Sequence, residues 1–263
     1  MDASEVSGAS SGAPLRLSQS PLVRVLTQVR WPELGGFNVD AVAQEVGRGL
    51  ADEFPLIAKQ NENQVILTPD GVHQQTTGVI HRFTSIDDAW SVSLGKTFVA
   101  LETTAYTDHT DFVNRLKRVL TVLSAVTSIP RWSRIGYRYT NRLVGVDDLA
   151  ALQDYFLPSV LGGLPAASDN VELVHSISES VYRVGESMLL VRSARLGSGA
   201  SIDPTLPPVD GDSWVLDLDA FDEATSVQMF SPEVVVKRAD ELSRIAYSHF
   251  LAVIQDRFIE RFQ

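Results

Sequence analysis

Three arginines stand four residues apart, at Arg134, Arg138 and Arg142. On a β-strand this spacing puts all three on one face, consecutive members about 13 Å apart at roughly 3.3 Å per residue. A guanidinium offers five N–H donors in a planar fork, so the row suits an anionic group or an acidic segment of another protein. Arg24 and Arg30 occupy a comparable mixed face of an earlier strand. Glu102, and Asp217 with Asp219, are carboxylates placed to act as partners across neighbouring strands. The same pattern also suits a half-exposed sheet face laced with cross-strand ion pairs, where same-face charge alternation is ordinary.

Asp217 and Asp219 share a face at a side-chain spacing of about 7 Å, which would suit a divalent metal only with a third ligand from another strand. No further acid is spaced to supply one, so ion pairing to arginine is the simpler expectation, with no metal and no cofactor. The five histidines form no HxH, HxxxH or HExxH, so a zinc site would need assembly from distant segments. His81, beside Arg82, could face Glu102 and give an acid–base pair, or be an ordinary surface histidine. There is no GxSxG and no phosphate-binding glycine loop. Trp31, Trp90, Trp132 and Trp214 fall at or near strand ends, where they close the core or, less simply, stack nucleobases.

The elements that carry these residues alternate in period. Residues 22–31 alternate Val23, Val25, Thr27, Val29 and Trp31 with a mixed face, which predicts a strand. Asn38 can cap a helix through Phe54 with Val42, Val46 and Leu50 on its stripe. A short strand at 64–68 ends in a Pro69-Asp70-Gly71 turn, and 79–84, 90–94 and 98–106 read as an antiparallel meander. A helix from Asp108 or Thr110 to about Thr127 carries Phe112, Leu116, Val119, Leu120, Leu123 and Val126 on one side.

A second series then begins with the arginine strand at 134–144. Asp147 or Asp148 would cap a helix over 149–161, and strands follow at 172–184, 187–195 and 214–221. Between the last two lies GSGASIDPTLPPVDGD, a candidate clamp over the arginine face. The closing helix starts at Ser231 with Pro232 at its first position and runs past Phe258. The expectation is an α+β fold: two similar βαβββα-like units, 21–130 and 131–263, forming antiparallel sheet with helices on one face. Residues 1–20 read as a disordered tail rather than a signal peptide, lacking a basic start and an apolar core. The two leading strands, 22–31 and 134–144, should then occupy equivalent places and expose basic side chains to one surface.

Several segments carry a resemblance. They are 21–33 (PLVRVLTQVRWPE), 98–116 (FVALETTAYTDHTDFVNRL), 134–143 (RIGYRYTNRL), 214–221 (WVLDLDAF) and the AYSHFLAVIQDRF stretch of the closing helix. Together these resemble the bacterial family described as sporadically distributed proteins of unknown function, over nearly everything after residue 20. The resemblance implies a patchily inherited accessory protein, with mobile or defence loci as one setting. It brings no activity and no catalytic residues.

Composition bounds the rest. The 263 residues are 44% hydrophobic and 21% charged, which suits a globular protein that can bury a core without staples. A net charge of −11 disfavours nucleic acid, apart from a local basic face. There is no cysteine and no run of about 20 apolar residues, so a cytoplasmic protein without a membrane span is expected. The leading function is a non-enzymatic binding or adaptor protein whose partner is another protein or an acidic ligand, with a homodimer through open sheet edges as a further expectation. Two alternatives stand beside it: a hydrolase-like enzyme using Glu102, His81 and Arg138, and a nucleic-acid-binding accessory protein.

Overall fold

A computed structural model describes residue 15 and residues 17–263 except 69–70, 165–170, 172 and 204, with backbone alone over 62–77. Nine strands form one antiparallel sheet in the order β2-β3-β4-β5-β1-β6-β9-β8-β7. They are β1 (Leu22–Arg30), β2 (Leu56–Thr68), β3 (Gly71–Thr84), β4 (Trp90–Leu94), β5 (Phe98–Thr103), β6 (Arg131–Val144), β7 (Ser176–Val184), β8 (Ser187–Leu196) and β9 (Ser213–Met229). Helices α1 (Val39–Leu50), α2 (His109–Val126) and α5 (Pro232–Val253) lie side by side on one face. The fold is therefore α+β, as the alternating periods predict.

Each long helix has a side-chain cap. Asn38 accepts from the Ala41 N–H, Asp108 from Asp111 and Ser231 from Val234, each relieving an orphan donor of the first turn. The α2 stripe of Phe112, Leu116, Val119, Leu120 and Leu123 is buried, as is the α5 stripe of Val235, Ala239, Leu242 and Ala246. Facing them from the sheet are Val25, Thr27 and Val29 of β1, Ile135 and Tyr137 of β6, and Trp214, Leu216, Leu218 and Ala220 of β9, all buried. Alternation sends the arginines to the opposite, outer face. No described helix is long and apolar enough to cross a membrane.

The two leading strands are antiparallel neighbours at the centre of the sheet, with Arg24 opposite Thr140 and Arg30 opposite Arg134. The halves on either side differ. The first adds four strands outward from β1 and the second adds three outward from β6.

Four local expectations change. The strand at 64–68 is part of a longer hairpin, β2 with β3. Leu56 to Gln60 of this edge strand are exposed, so no buried face imposes an apolar alternation; the expected turn at 69–71 falls mainly outside the described residues. The helix over 149–161 is three short pieces: α3 (Val146–Ala150), α4 (Leu152–Tyr155) and a 3-10 turn at Pro158–Val160. Its first piece starts from Gly145, at φ 91°, and not from an aspartate cap. The closing helix stops at Val253, because Ile254 turns extended and bridges Phe156 while Gln255 N–H donates to Tyr155 O; α6 (Asp256–Phe262) resumes beyond it. The expected tail is docked at its end. Leu15 N–H donates to the Tyr247 hydroxyl and Gln19 N–H to Phe262 O, and residues 1–14 lie outside the described residues.

Candidate functional site: an arginine face under a loop

On the outer face the arginines lean diagonally along the sheet. Arg138 stands opposite Asp219, yet its Nε donates to Asp217 Oδ1 at 2.6 Å. The Thr140 hydroxyl donates to the same oxygen at 3.0 Å. Arg134 reaches Asp219 Oδ2 at 2.9 Å across Gly136, with its guanidinium 4.5 Å from the Phe221 ring centre. A Cβ at Gly136 would come within 2.9 Å of Arg134 Nη1 and 3.2 Å of Asp219 Oδ1, so this glycine leaves the space in which the pair forms. Glu102 accepts from Arg82 at 3.0 Å and lies 4.0 Å from Arg24. Arg30, at the end of the row, is exposed and makes no ion pair among the described residues.

The glycine- and proline-rich segment between β8 and β9 folds over this face. Asp203 Oδ2 accepts from Arg24 Nη2 at 2.6 Å and lies 2.9 Å from Arg138 Nη1. The Arg24 Nη1 donates to the Thr205 hydroxyl, and Arg142 Nη1 donates to Pro207 O at 2.6 Å. Below the loop, Ala194, Leu196 and Val215 form a small apolar cluster with Ala200 and Ile202. The β8–β9 ladder closes at Leu196 opposite Ser213, where two residues suffice for a hairpin. The chain uses residues 197–212 instead, so topology alone does not require this excursion.

Electrostatics separate the arginines. Arg138 is charged and matched: burial opposes its cationic form, but the bond and attraction of Asp217 and the Asp203 charge outweigh that. Arg142 is different. It is 8% exposed, and among the described residues its Nε and Nη2 have no partner and no carboxylate lies within ion-pair distance. Burial, with repulsion from Arg24, pushes its pKa below the ordinary arginine value. Asp219 is held above the usual carboxylate range by burial, despite Arg134 and Arg138.

Burial would also raise Asp203, yet bonds from Arg24, from the Thr205 hydroxyl and from the Thr205 N–H hold its carboxyl far below the usual range. A carboxyl lowered on folding contributes stability that is fully present above its unfolded value, about 3.9, and is lost as pH falls toward the folded value. The loop should therefore loosen as pH drops below about 4. Amide NMR signals of Gly199 and Gly211 should shift and sharpen in that window. The Asp203→Asn protein should show the loosened signals already at neutral pH, and unchanged signals in it would show that Asp203 does not hold the loop.

The expected His81–Glu102 pair does not form. His81 faces the helix side, where its Nε2 lies 2.9 Å from Asp40 Oδ1, while Glu102 lies on the outer face. Strand alternation separates them, since His81 and Arg82 point to opposite faces. Among the described residues no group of three His, Asp or Glu could hold a metal. Two clefts lie away from the outer-face arginine row: about 530 Å³ at Gln153, Asp154 and Gln255, and about 690 Å³ beside Trp132, Asp222, Lys237 and Arg238. In the second, Asp222 and Glu241 already bind Arg238.

The structure brings Arg24, Arg134, Arg138, Arg142, Glu102, Asp217 and Asp219 onto one face and leaves Arg30 at its margin. It adds Arg82 and Asp203. A serine two residues before Asp203 marks a turn, but nothing local marks a contact with a strand 179 residues earlier. Also unforeseen is a polar group beneath the helices, where His109 Nε2 lies 2.7 Å from Asp240 and the His109 ring lies 6.2 Å from Tyr137. Burial, reinforced by Tyr139 and Tyr106, raises the Tyr137 phenol well above its ordinary value. Comparison with protein-family models and with curated proteins finds no match.

Proposed function

We propose that this chain is a non-enzymatic binding protein that takes an acidic segment of another protein on the outer face of its central strands. The observation that carries this reading is Arg142, a buried guanidinium that has two unpartnered nitrogens and no carboxylate among the described residues. Such a group costs stability, on the order of 1–3 kcal/mol for each unsatisfied buried polar atom. The cost is understandable if a ligand carboxylate completes the site. Asp203, shared between Arg24 and Arg138, is then an internal occupant of the same kind of anion position. The family resemblance supports a bacterial accessory role for such a binder, and the lack of cysteine is in keeping with the cytoplasm.

Replacement of Arg142 separates stability from binding. Arg142→Met keeps volume and removes the buried charge, so the folded state should gain about 1 kcal/mol, read as a higher urea midpoint. The same variant should lose binding at least tenfold to fluorescent peptides carrying paired Asp or Glu residues. Matched peptides with Asn and Gln serve as the control. Equal binding of acidic and amide peptides, or an Arg142→Met protein that is both less stable and unaltered in binding, would make Arg142 a structural residue and remove the main support. Preferential binding of an oligonucleotide, weakening steeply with salt, would favour the nucleic-acid reading instead.

A further inference from the structure

We propose that β7 is a self-complementary edge through which two copies of this chain pair, in a register centred on Val181. The strand is the last in the sheet, and β8 is its only partner among the named strands. Val181 is 54% exposed, and Tyr182 and Val184 are also substantially exposed. The strand contains neither Lys nor Pro, the residues that commonly protect an edge from pairing.

The hairpin decides which backbone groups are available. A two-residue turn, Gly185-Glu186, closes on the pair Val184 and Ser187. In such a hairpin the closing pair is hydrogen-bonded and the next is not. Counting back, the N–H and C=O of Glu179, Val181 and Arg183 point away from β8. The Glu179–Arg192 ion pair across β7 and β8 puts Glu179 on the outer face, and strand alternation assigns Val181 and Arg183 to the same face.

A twofold axis normal to the sheet preserves faces, so only a few registers join these outward groups. Centring on Glu179 sets two glutamates against each other. Centring on Ser180 sets Glu179 against Val181 and Ile177 against Arg183. Centring on Val181 sets valine against valine and Glu179 of each copy against Arg183 of the other, giving two new ion pairs in which Arg183 joins a carboxylate that Arg192 holds through Oε2 alone. Arg183 makes no ion pair among the described residues and is available for this. The result is a continuous sheet across both copies, with the helices of both on the same side. On the opposite edge, Lys59 of β2 is bonded to Asp40 of α1.

The absence of cysteine makes the register directly testable. Val181→Cys introduces the only thiol. Residues opposed in a hydrogen-bonded antiparallel pair, as Val181 would be, lie about 5.5 Å apart at Cα, within disulfide range. Mild oxidation should convert most of the protein to a covalent dimer, while Ser180→Cys, whose thiols are offset, should cross-link far less. In sedimentation without oxidant the native chain should run at twice its mass. Arg183→Glu should weaken the dimer about tenfold, and adding Glu179→Arg should restore it. A native chain that stays monomeric across the concentration range overturns the proposal. So does a dimer that neither cross-links at Val181→Cys nor responds to Arg183→Glu, because its interface then lies elsewhere.

Discussion

Asp217→Ala is expected to cost about 3–5 kcal/mol of folding stability, the range for breaking a buried charge pair from one side. Asp217 is 1% exposed and lies in the first half of β9, where it accepts from Arg138 Nε and from the Thr140 hydroxyl. Alanine removes the one oxygen that accepts both bonds. Arg138 then keeps only Asp203, which belongs to the loop, and Thr140 keeps a buried hydroxyl without that partner. The strand cannot lift to admit water, since β9 is paired on both sides, to β6 and to β8. A loss of this size is a large part of a domain's usual 5–15 kcal/mol, so it should appear as a marked fall in urea midpoint. Removing both charges should be far milder. Arg138→Met with Asp217→Leu should lie within about 2 kcal/mol of the native chain. A single-variant cost below about 1 kcal/mol would place the pair in the class of screened surface bridges and contradict its burial.

Excision of residues 197–212, with Asn-Gly joining Leu196 to Ser213, is expected to leave the sheet intact and to raise affinity for acidic peptides at least tenfold. The joint is chemically suited, because Asn-Gly forms the type I′ turn that matches the twist of paired strands. The tethered Asp203 carboxylate competes at an effective concentration in the millimolar range, typical of short linkers. A ligand that must displace it binds with an affinity reduced by the fraction of time the loop is open. Excision also exposes Ala194, Leu196 and Val215, so a modest fall in melting temperature should accompany the gain. Equal peptide affinity with and without the loop would show that it is a structural cover and not a competitor for the arginines. The peptide measurement and the Asp203→Asn spectra together separate a loop that merely fails to open from a face that does not bind.

Much of this arrangement is legible in the chain because it depends on local period. The alternation in β1 and β6 separates valines and tyrosines from arginines, and any sheet built from these strands must expose the arginines together. The stripes and caps of α2 and α5 likewise require helices packed on the apolar side. The edges are less legible. Leu56 to Gln60 of β2 and much of β7 are exposed, so burial imposes no regular apolar face there. The three short turns replacing a helix at 149–161 follow from contacts with Ile254 and Gln255, about a hundred residues away.

By itself, then, the sequence determined the fold class, the sidedness of the arginines and the unusual length of the segment after β8. Only the tertiary structure decided which carboxylate each arginine meets. Arg138 stands opposite Asp219 but binds Asp217, and Asp203 arrives from a loop to bridge two strands. It also separated His81 from Glu102 and left Arg142 buried with no counter-ion among the described residues. The physical reason is that period and propensity act within a few residues, whereas charge pairing and burial are set by register, twist and the path of a loop across the sheet.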